Sequence, residues 1–520
     1  MEERPGGGVT LDEARGIALS RHVTDPEAPV YGIVDLPEEV VAVILAYVSR
    51  SPRSFRDNLA DLVAQGLVGA QDAAEGGPER AFAHAAERAR AFHERWVVNY
   101  GHASVAEHAT VHLGVERISR LASAALETSN PFLSFTEFSQ RYQAPVRGGY
   151  VTPPEADGLP GALRGAYARL QDRLFDAYED LLEGVASHLL ATGAEAEREG
   201  DRPGAAARRA RRRAFEDARY ALPLAVHTAL GMTANGRALR DVVSVLAESP
   251  WGEMRALAES LRAQGERMLP TLLRHAEPAV PPAGLAPVGD DGGAGRIGAL
   301  ADGDRLTPGE EVRLLPAAPG SRYDDAAARA ALAAALALGG RAPDGTDAVA
   351  FLRERRRQSG PYALPHPAMR LVRYRFALCV SEANWHQLLR HTRGMTLIAA
   401  PPGVDAGVTV PPLVERAGLG ERLRAACAEA AALWRDLAAA GAPGQAVAAY
   451  VVTNAHRRWL VADLDLWELD HLVRLRLKDN AQWDIRRSVR AMVWAAAARH
   501  PFLAELWGPE VLAPLADEAP

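Results

Sequence analysis

A proline- and glycine-rich stretch divides the chain into two halves that have a similar order of elements. It runs from about Pro278 to Thr307 and reads PAVPPAGLAPVGDDGGAGRIGALADGDRLT, a composition that interrupts secondary structure. At 520 residues the chain exceeds the length at which one hydrophobic core stops growing. We therefore expect residues 1–277 and 308–520 to be two copies of one domain, joined by a linker at 278–307.

Hydrophobic patterns predict the same secondary structure in both halves. Residues 110–118 (TVHLGVERI) have apolar side chains at alternate positions, as a half-buried strand does, and residues 371–380 (LVRYRFALCV) repeat the alternation. A helical stretch follows each strand. Each half then ends in another helical stretch, at 251–273 and 483–506, which begins with Trp near an acidic residue. The predicted fold class is α+β.

Charge and cysteine content narrow the possible functions. The formal net charge of −7 argues against nucleic acid as the main partner, because such proteins need a basic face. The two cysteines, Cys379 and Cys427, indicate a reducing compartment without a disulfide framework. No run of about 18 apolar residues could span a membrane, and the first residues lack a secretory layout. We expect a cytoplasmic protein with neither a nucleic-acid nor a membrane partner.

Two polar segments contain side chains that could take part in binding or catalysis. Residues 134–142 read SFTEFSQRY and combine hydroxyls, a carboxylate, an amide and an arginine. In the second half, Gln387, Arg390 and His391 are spaced i, i+3, i+4, so on a helix they project from one face. Arginine offers a fork of N–H groups suited to phosphate, and glutamine adds directional hydrogen bonds. A polar helix surface is the alternative interpretation of the same spacing.

These segments resemble the signature of the flavin-dependent thymidylate synthases, the thymidylate synthase complementing protein family. The front of that signature, Q-x-x-R-H-R, stands only in the second half, where Thr392 replaces the second arginine. Its back stands only in the first half, as Ser134, Glu137, Ser139, Gln140, Arg141 and Tyr142. The positions that correspond to the missing parts are Ser129, Asn130 and Pro131 in the first half, and Ala400 and Pro402 in the second. Each half has lost what the other keeps.

Other motifs of the family are also divided between the halves. The first half contains G-H-x-S-x-x-E-H at residues 101–108, A-R-x-x-L-P at 218–223 and N-x-R-x-L at 235–239. The second half contains the last element of the family almost literally, as Leu475, Arg476, Ala481, Gln482, Trp483, Asp484, Ile485 and Arg486. The resemblance implies two tandem copies of a fold with an antiparallel sheet and long helices.

The resemblance further implies an enzyme that methylates dUMP to dTMP. Methylenetetrahydrofolate would be the carbon donor, reduced FAD the hydride source and NADPH a co-substrate. The implied dUMP ligands are Glu137, Ser139, Gln140, Arg141, Arg219, Gln387 and Arg390. The implied FAD ligands are His102, Ser104, Glu107, Asn235, Arg237, Arg390 and His391. Arg476 is the implied catalytic residue, because its charge would favour the deprotonated uracil ring and increase electron density at C5.

Assembly follows from the same resemblance, because the family places its active sites between the subunits of a homotetramer. A fused pair of copies would form a homodimer of four pseudo-equivalent domains, with each site composed from both copies. Two alternatives remain: a non-catalytic paralogue that binds a nucleotide or a flavin, and the same chemistry on another pyrimidine nucleotide. His108 and His112 beside Glu107 have a helical metal-ligand spacing, but His112 falls in the predicted strand, so we expect no metal site.

Overall fold

The computed structural model describes the greater part of the chain. The described residues are Gly16, 20–25, 27–47, 54–64, 103–198, 201–270, 272–273, 310–315, 324–339, 347–360 and 363–513. The predicted linker at 278–307 lies outside them. The chain divides into two compact units. Unit 1 comprises residues 1–116, 125–137 and 229–283, and unit 2 comprises 117–124, 138–228 and 284–520.

One to three of the described α-helices separate successive strands. The helices are α1 (Glu38–Tyr47), α2 (Phe55–Ala64), α3 (Arg120–Thr128), α4 (Gly161–Ala191), α5 (Ala205–Ala218), α6 (Gly236–Ala247), α7 (Gly252–Met268), α8 (Asp325–Leu338), α9 (Ala348–Gln358), α10 (Glu382–Leu388), α11 (Pro412–Arg416), α12 (Gly420–Ala438), α13 (Gly441–Ala448), α14 (Leu466–Arg476), α15 (Trp483–Arg499), α16 (Phe502–Trp507) and α17 (Pro509–Leu512). The strands are β1 (Thr110–Ser119), β2 (Ser134–Glu137), β3 (His227–Asn235), β4 (Val312–Leu314), β5 (Arg373–Ser381), β6 (Met395–Ala399) and β7 (Arg457–Asp465).

The predicted strands and helices are confirmed, with one break. Residues 110–118 and 371–380 form β1 and β5, and residues 251–273 contain α7. Residues 483–506 form two helices, α15 and α16, instead of one. Pro501 separates them, because proline has no N–H to donate and its ring clashes with the preceding turn.

Unit 1 contains a three-stranded sheet in the order β1-β3-β2. The edge strand β2 runs antiparallel to β3, with Ser134 opposite Thr233 and Glu137 opposite Leu230. Two features of β2 explain how such a polar segment forms a strand: among the described strands it pairs only with β3, and its side chains alternate between exposed and half-buried. Helices α6 and α7 pack on each other in the same unit.

Unit 2 contains a four-stranded antiparallel sheet in the order β4-β5-β7-β6. One face of β5 presents Tyr374, Phe376 and Leu378 to the core, as the alternation predicted. Helices α8, α9, α14, α15 and α16 cover this face with buried aliphatic side chains and with Trp507. Residues 138–228 of the first half belong to the same unit and add α4 and α5, with α12 packed against α4.

Equivalent segments of the two halves pair with each other inside unit 2. Their antiparallel pairing centres on the bridge between Pro223 and Thr453. The hydrogen bonds are reciprocal: Leu224 N to Val452 O at 2.8 Å and Asn454 N to Leu222 O at 2.8 Å, then Ala225 N to Tyr450 O at 3.1 Å and Ala455 N to Tyr220 O at 2.9 Å. Reciprocity of this kind is what a two-fold axis between like segments produces.

The sheet strands repeat the same equivalence. Arg120 N donates to Val226 O in the first half, and Glu382 N donates to His456 O in the second. The helix after β3 and the helix after β7 begin at equivalent positions. Asn235 caps α6, and Asp465 caps α14. The chain thus contains two copies of one α+β fold.

Candidate functional site

The loop after β2 forms a tight turn, and its residues from 138 onward belong to unit 2. Ser139 Oγ accepts from Arg141 N at 3.3 Å and Ser139 O accepts from Tyr142 N at 3.1 Å, so its polar groups stabilise the turn. Gln140 is buried, and its Oε1 accepts from Asn454 Nδ2 at 3.2 Å. Its Nε2 has no hydrogen-bond partner within the described part of the chain. Glu137, also predicted to bind nucleotide, ends β2 and belongs to unit 1.

Arg141 and Arg219 both hydrogen-bond to Glu216. Arg141 Nε donates to Glu216 Oε1 at 2.6 Å, and its NH2 donates to Asn480 O in the second half at 3.3 Å. Arg219 Nε donates to Glu216 O at 3.1 Å from the turn that follows α5. Its side chain is only 5% exposed, and its NH2 group has no partner among the described residues. A buried guanidinium N–H without an acceptor is costly unless a ligand supplies one.

A chain of hydrogen bonds joins Gln387 to residues of the first half. Gln387 Nε2 donates to Gln482 Oε1 at 3.0 Å, and Gln482 Nε2 donates to the Tyr220 hydroxyl at 3.2 Å. The Tyr220 hydroxyl in turn donates to Asp484 Oδ2 at 2.7 Å. The Oε1 atom of Gln387 is buried and has no partner in the described residues. This network fixes the Gln387 side chain while leaving an acceptor for a ligand donor.

A second chain of hydrogen bonds holds Arg476. Its Nε donates to His391 Nε2 at 3.1 Å, and its NH2 donates to Gln387 O at 3.3 Å. Because an arginine N–H can only donate, Nε2 of His391 must accept, and the neutral ring then has its proton on Nδ1. That Nδ1 lies 3.1 Å from Oε1 of Glu468, which is buried. Glu468 therefore fixes the tautomer of the ring that orients Arg476.

Positive charge dominates this part of unit 2. We call Arg141, Arg219, Arg390 and Arg476 the arginine cluster. Burial, and then the charges of Arg141 and Arg390, lower the pKa of the Arg476 guanidinium to about 10. Burial also lowers the pKa of Arg219, and Arg120 and Arg141 lower it further. Burial, then Arg476, His471 and Arg390, hold the pKa of His391 well below its usual value. The cluster is suited to an anion such as a phosphate.

The first-half residues predicted to bind flavin are described in unit 1. Arg237 NH1 donates to Glu107 Oε1 at 2.6 Å, and both side chains are 46% exposed. Asn235 caps α6 by accepting from Ala238 N at 2.8 Å, and Ser104 is exposed. His102 lies outside the described residues. Arg390 and His391 belong to unit 2, on the turn after α10, where the predicted helix tightens into a 3₁₀ turn at Leu389–His391.

The second copy has different residues at the positions equivalent to Glu107 and Arg237. Gly236 N donates to Ala109 O, and Leu466 N donates to Val372 O, so Arg370 is the counterpart of Glu107 and Trp467 that of Arg237. The Arg370 guanidinium carbon lies 4.3 Å from the centroid of the Trp467 ring. Trp467 Nε1 donates to Pro365 O at 2.9 Å. A cation–π stack thus stands where the first copy has an exposed ion pair.

Each half lacks some residues of the signature, and the structure shifts the alignment of those positions between the halves by one residue. Ser134 lies opposite Thr233 in one sheet, and Thr396 lies opposite Asp463 at the equivalent place in the other. The counterpart of Arg390 is therefore Thr128, not Ser129, and that of Arg141 is Gly403, not Pro402. An alignment that counts residues along the signature does not show this shift. Strand pairing identifies the equivalent residues of the two copies directly.

Some described residues could also hold a metal ion. Ligand atoms of His391, Glu468 and His471 lie within 4.8 Å of one another. His391 and Glu468 already hydrogen-bond to each other, and Arg476 places a cation on the far side of the His391 ring. His112 lies in β1 as predicted, with Nδ1 2.8 Å from Thr233 Oγ1. The prediction that the protein has no metal site stays a prediction.

Glu468 and Asn454 are site residues that the sequence did not reveal. Glu468 follows Asp465 by three residues, and Glu468 N donates to Asp465 Oδ1 at 2.9 Å, so the pattern D-x-x-E is that of a helix cap. The Glu468 side chain instead contacts His391. Asn454 Nδ2 donates to Gln140 Oε1 and, at 2.9 Å, to Arg219 O. Asn454 lies in the segment that pairs with the equivalent segment of the first half, and no pattern of neighbouring residues in the sequence indicates such a pairing.

A match to a family profile identifies the family of the chain. The profile of the family described as "Thymidylate synthase complementing protein" matches residues 39–271 and 365–502, more than half of the chain. The chain belongs to this family.

Several curated relatives are similar over different lengths. A UPF0159 protein of Thermoplasma acidophilum is 26% identical over 450 residues, which cover 80% of this chain and 88% of the relative. A UPF0159 protein of Chlamydia pneumoniae is 28% identical, and the match spans 50% of this chain and 49% of the relative. A flavin-dependent thymidylate synthase of Geobacter sulfurreducens is 28% identical over 266 residues, 50% of this chain and 87% of that enzyme.

Solved structures with partial similarity were also found. One is a flavin-dependent thymidylate synthase from Helicobacter pylori complexed with FAD and dUMP, at 13% identity and a TM-score of 0.27, covering 46% of this chain and 95% of that one. Another is a UMP/dUMP methylase from Streptomyces cacaoi bound with 5-Br dUMP, at 18% identity and a TM-score of 0.26, covering 45% of this chain and 88% of that one. Among the described helices, none is both long and apolar enough to cross a bilayer.

Proposed function

We propose that the protein is a flavin-dependent thymidylate synthase that methylates dUMP to dTMP, with a nucleotide site composed from both copies. The observation that supports this most is the arginine cluster, whose members come from both halves and lie beside buried polar atoms without partners. Arg219 NH2 and Gln140 Nε2 come from the first half, and Gln387 Oε1 from the second. Such atoms fit a ligand that both accepts and donates hydrogen bonds.

Each group has a role in this proposal. Arg141, Arg219 and Arg390 bind the phosphate, while Gln387 and Gln140 contact sugar or base oxygens and N–H groups. Ser139 shapes the loop, and Glu137 lies at its start. Arg476 stabilises the negative charge that develops when the uracil ring loses its N3 proton, which raises electron density at C5. Glu468, through the neutral His391, keeps the Arg476 guanidinium in position.

The donor set also suits a flavin dinucleotide. Ser104, Glu107, Asn235, Arg237, Arg390, His391 and His102 would hold FAD, and the exposed Arg237 pair offers a cation for its phosphates. A bound flavin would supply the hydride for the transferred carbon. NADPH and methylenetetrahydrofolate are the proposed co-substrates. The linker at 278–307 would join the copies, and two chains would form a homodimer.

A second candidate is binding of the nucleotide without turnover. Thr392 favours it, because this residue occupies the position of the second signature arginine and has no charge to offer. The same chemistry on another pyrimidine nucleotide would use the same cluster.

Product analysis separates these candidates. Purified protein with FAD, NADPH, methylenetetrahydrofolate and dUMP is expected to form dTMP, measured by chromatography of the nucleotides. Substitution Arg476→Ala is expected to abolish dTMP formation. Binding of dUMP without any dTMP would contradict the synthase and support the second candidate, whereas dTMP formation unaffected by Arg476→Ala would contradict the assigned role of Arg476.

A further inference from the structure

Gln482 is the residue that caps the start of α15, and its side chain is buried. Its Oε1 accepts from two main-chain N–H groups of the first turn, Asp484 N at 3.1 Å and Ile485 N at 3.4 Å. A main-chain N–H can only donate, so the oxygen of this amide, and not its NH2 group, must face the helix. The start of α15 therefore fixes which way the Gln482 amide points.

The amide of Gln387 is fixed in turn by two oxygen atoms that accept. Its Nε2 donates to Gln482 Oε1 at 3.0 Å and to the main-chain oxygen of Ala383 at 3.2 Å. These two bonds use both hydrogen atoms of the NH2 group. If the amide were turned over, Gln387 Oε1 would face two oxygen atoms, and neither contact could be a hydrogen bond. Gln387 thus presents an acceptor, the buried Oε1 atom that has no partner in the described structure.

The NH2 group of Gln482 is held by the first copy. It donates to the Tyr220 hydroxyl at 3.2 Å, which donates to Asp484 Oδ2 at 2.7 Å. Burial, and then the charge of Asp484, hold the pKa of Tyr220 well above its ordinary value, so the hydroxyl keeps its proton for this bond. Asp484 Oδ2 also accepts from the hydroxyl of Ser381, the residue that caps α10, at 2.5 Å. Each hydrogen bond in the network therefore has one direction, and the network joins α15 to both Tyr220 and α10.

We propose that Gln482 is a positioning residue that fixes Gln387 as a hydrogen-bond acceptor, and that the site thereby selects nucleotides with a donor at the matching position. A buried acceptor that meets a ligand without a donor stays unsatisfied, which weakens binding. This inference rests on the proposed nucleotide site, but it does not depend on turnover. Apart from its phosphate, dUMP has two such donors, the N3–H of the ring and the 3′-hydroxyl of the sugar. Both offer the same chemistry to Gln387 Oε1.

Calorimetric titration into FAD-loaded protein compares dUMP with two analogues that each lack one donor. N3-methyl-dUMP lacks the N3–H group, and 2′,3′-dideoxyuridine 5′-monophosphate lacks the 3′-hydroxyl. We expect the wild type to bind the analogue without the recognised donor roughly tenfold more weakly than dUMP, because the Gln387 acceptor is left unsatisfied. In Gln387→Met the acceptor is absent, so this difference should disappear. A difference caused only by the bulk of the added methyl group would remain.

Variants of Gln482 test its positioning role. We define selectivity as the dissociation constant of that analogue divided by the dissociation constant of dUMP. Gln482→Met should lower the selectivity by roughly threefold or more, because Gln387 loses one of the two acceptors that hold its amide. Gln482→Ser should give the same loss, because serine can still cap the helix but is too short to reach Gln387.

Two further variants distinguish this role from a general effect on structure. Gln482→Glu should retain the selectivity, because a carboxylate oxygen still accepts from the helix and from Gln387. Gln171→Met is the matched control and should also retain it. Gln171 is a fully buried glutamine of α4, and its amide has no hydrogen-bond partner among the described residues, so it is not part of the network.

Circular dichroism and thermal unfolding should show that the variants are folded. Equal affinity of the wild type for dUMP and both analogues would overturn the inference, as would wild-type selectivity in Gln482→Met and Gln482→Ser. Equal loss of selectivity in Gln482→Glu would indicate a merely structural role and would also overturn it. Absence of dUMP binding to the wild type would contradict the proposed nucleotide site together with this inference, whereas dUMP binding without dTMP formation would contradict the synthase alone.

Discussion

At the scale of the residue, the site depends on side chains that are buried and incompletely satisfied. Arg219 and Gln140 from the first half, and Gln387 from the second, each retain a polar atom without a partner in the described structure. An unsatisfied buried group costs about 1–3 kcal/mol. A protein can tolerate this cost at a site where a bound ligand satisfies the buried group. The unsatisfied atoms therefore support a binding site more strongly than the position of these residues in a motif does.

The carboxylate of Glu468 gives a prediction about pH and stability. Burial raises its pKa from 4.5 in the unfolded chain to about 7. Its contribution to stability is complete below pH 4.5 and is lost as pH rises through about 7, because the folded protein binds the proton more tightly. Relative to wild type, Glu468→Gln should gain about 1.4 kcal/mol in unfolding free energy per pH unit across this window.

Urea unfolding of wild type and variant from pH 5 to pH 8 measures this difference. Glu421→Gln serves as the control, since Glu421 has an 89% exposed side chain. If the difference in unfolding free energy between Glu468→Gln and wild type does not change with pH, Glu468 is not the buried titrating group.

Activity gives a second prediction for the same residue. The amide of the Glu468→Gln variant can either accept from Nδ1 of His391 or donate to it, so the ring proton is no longer fixed on Nδ1 and Arg476 loses a defined acceptor. We expect kcat of Glu468→Gln to fall by roughly tenfold, the effect of one weakened charged hydrogen bond. Steady-state kinetics at pH 8 provide the measurement, and unchanged kcat would remove Glu468 from the orientation of Arg476.

Individual residues show how far the sequence could identify the site. Gln140, Arg141, Arg219, Gln387, Arg390, His391 and Arg476 are predicted from motifs, and all lie in unit 2. Their partners Glu468, Asn454 and Tyr220 are not, because each contacts residues far away in the sequence. A local pattern such as the helix cap at Asp465 explains a backbone bond but not where the neighbouring side chain points.

At the scale of the element, the turn that precedes β6 packs closely against α14 at Gly394, which leaves no room for a larger side chain there. A Cβ on Gly394 would lie 2.9 Å from Cβ of Glu468 and would also meet its carboxylate. Gly394→Ala should destabilise the protein by about 1–3 kcal/mol through overpacking. Gly403→Ala is the matched control, because a Cβ at Gly403 meets nothing within 4 Å. Chemical denaturation of both variants gives the comparison; equal stability would contradict the described packing.

Elements with a strong hydrophobic period were predictable, and irregular ones were not. The alternation in β1 and β5 identified both strands. Arg117 lies within β1 in the left-handed conformation, with φ of 56°. Arginine does not favour this conformation, so composition offered no signal for it. The equivalent backbone hydrogen bonds show that the first copy has one residue more than the second between Ala109 and Arg120.

At the scale of the whole molecule, the two copies have diverged in a complementary way. The first copy keeps Glu107 and Arg237 as an ion pair, and the second has the Arg370–Trp467 stack. We therefore expect about one tightly bound FAD per chain. Absorbance of the flavin against protein concentration, after removal of free FAD, measures this ratio. Two tight FAD molecules per chain would contradict the division of labour between the copies.

The most direct test of a dUMP site composed from both copies is calorimetric titration of dUMP into FAD-loaded variants. Arg141→Ala removes a cluster residue of the first half, and Arg390→Ala removes one of the second. Each should weaken dUMP binding by roughly tenfold to a hundredfold, since a hydrogen bond to a charged group is worth about 1.5–3 kcal/mol. Thr128→Ala, at the counterpart of Arg390, should leave the affinity unchanged. If the two arginine variants are folded and bind dUMP as tightly as Thr128→Ala, the composite site is wrong.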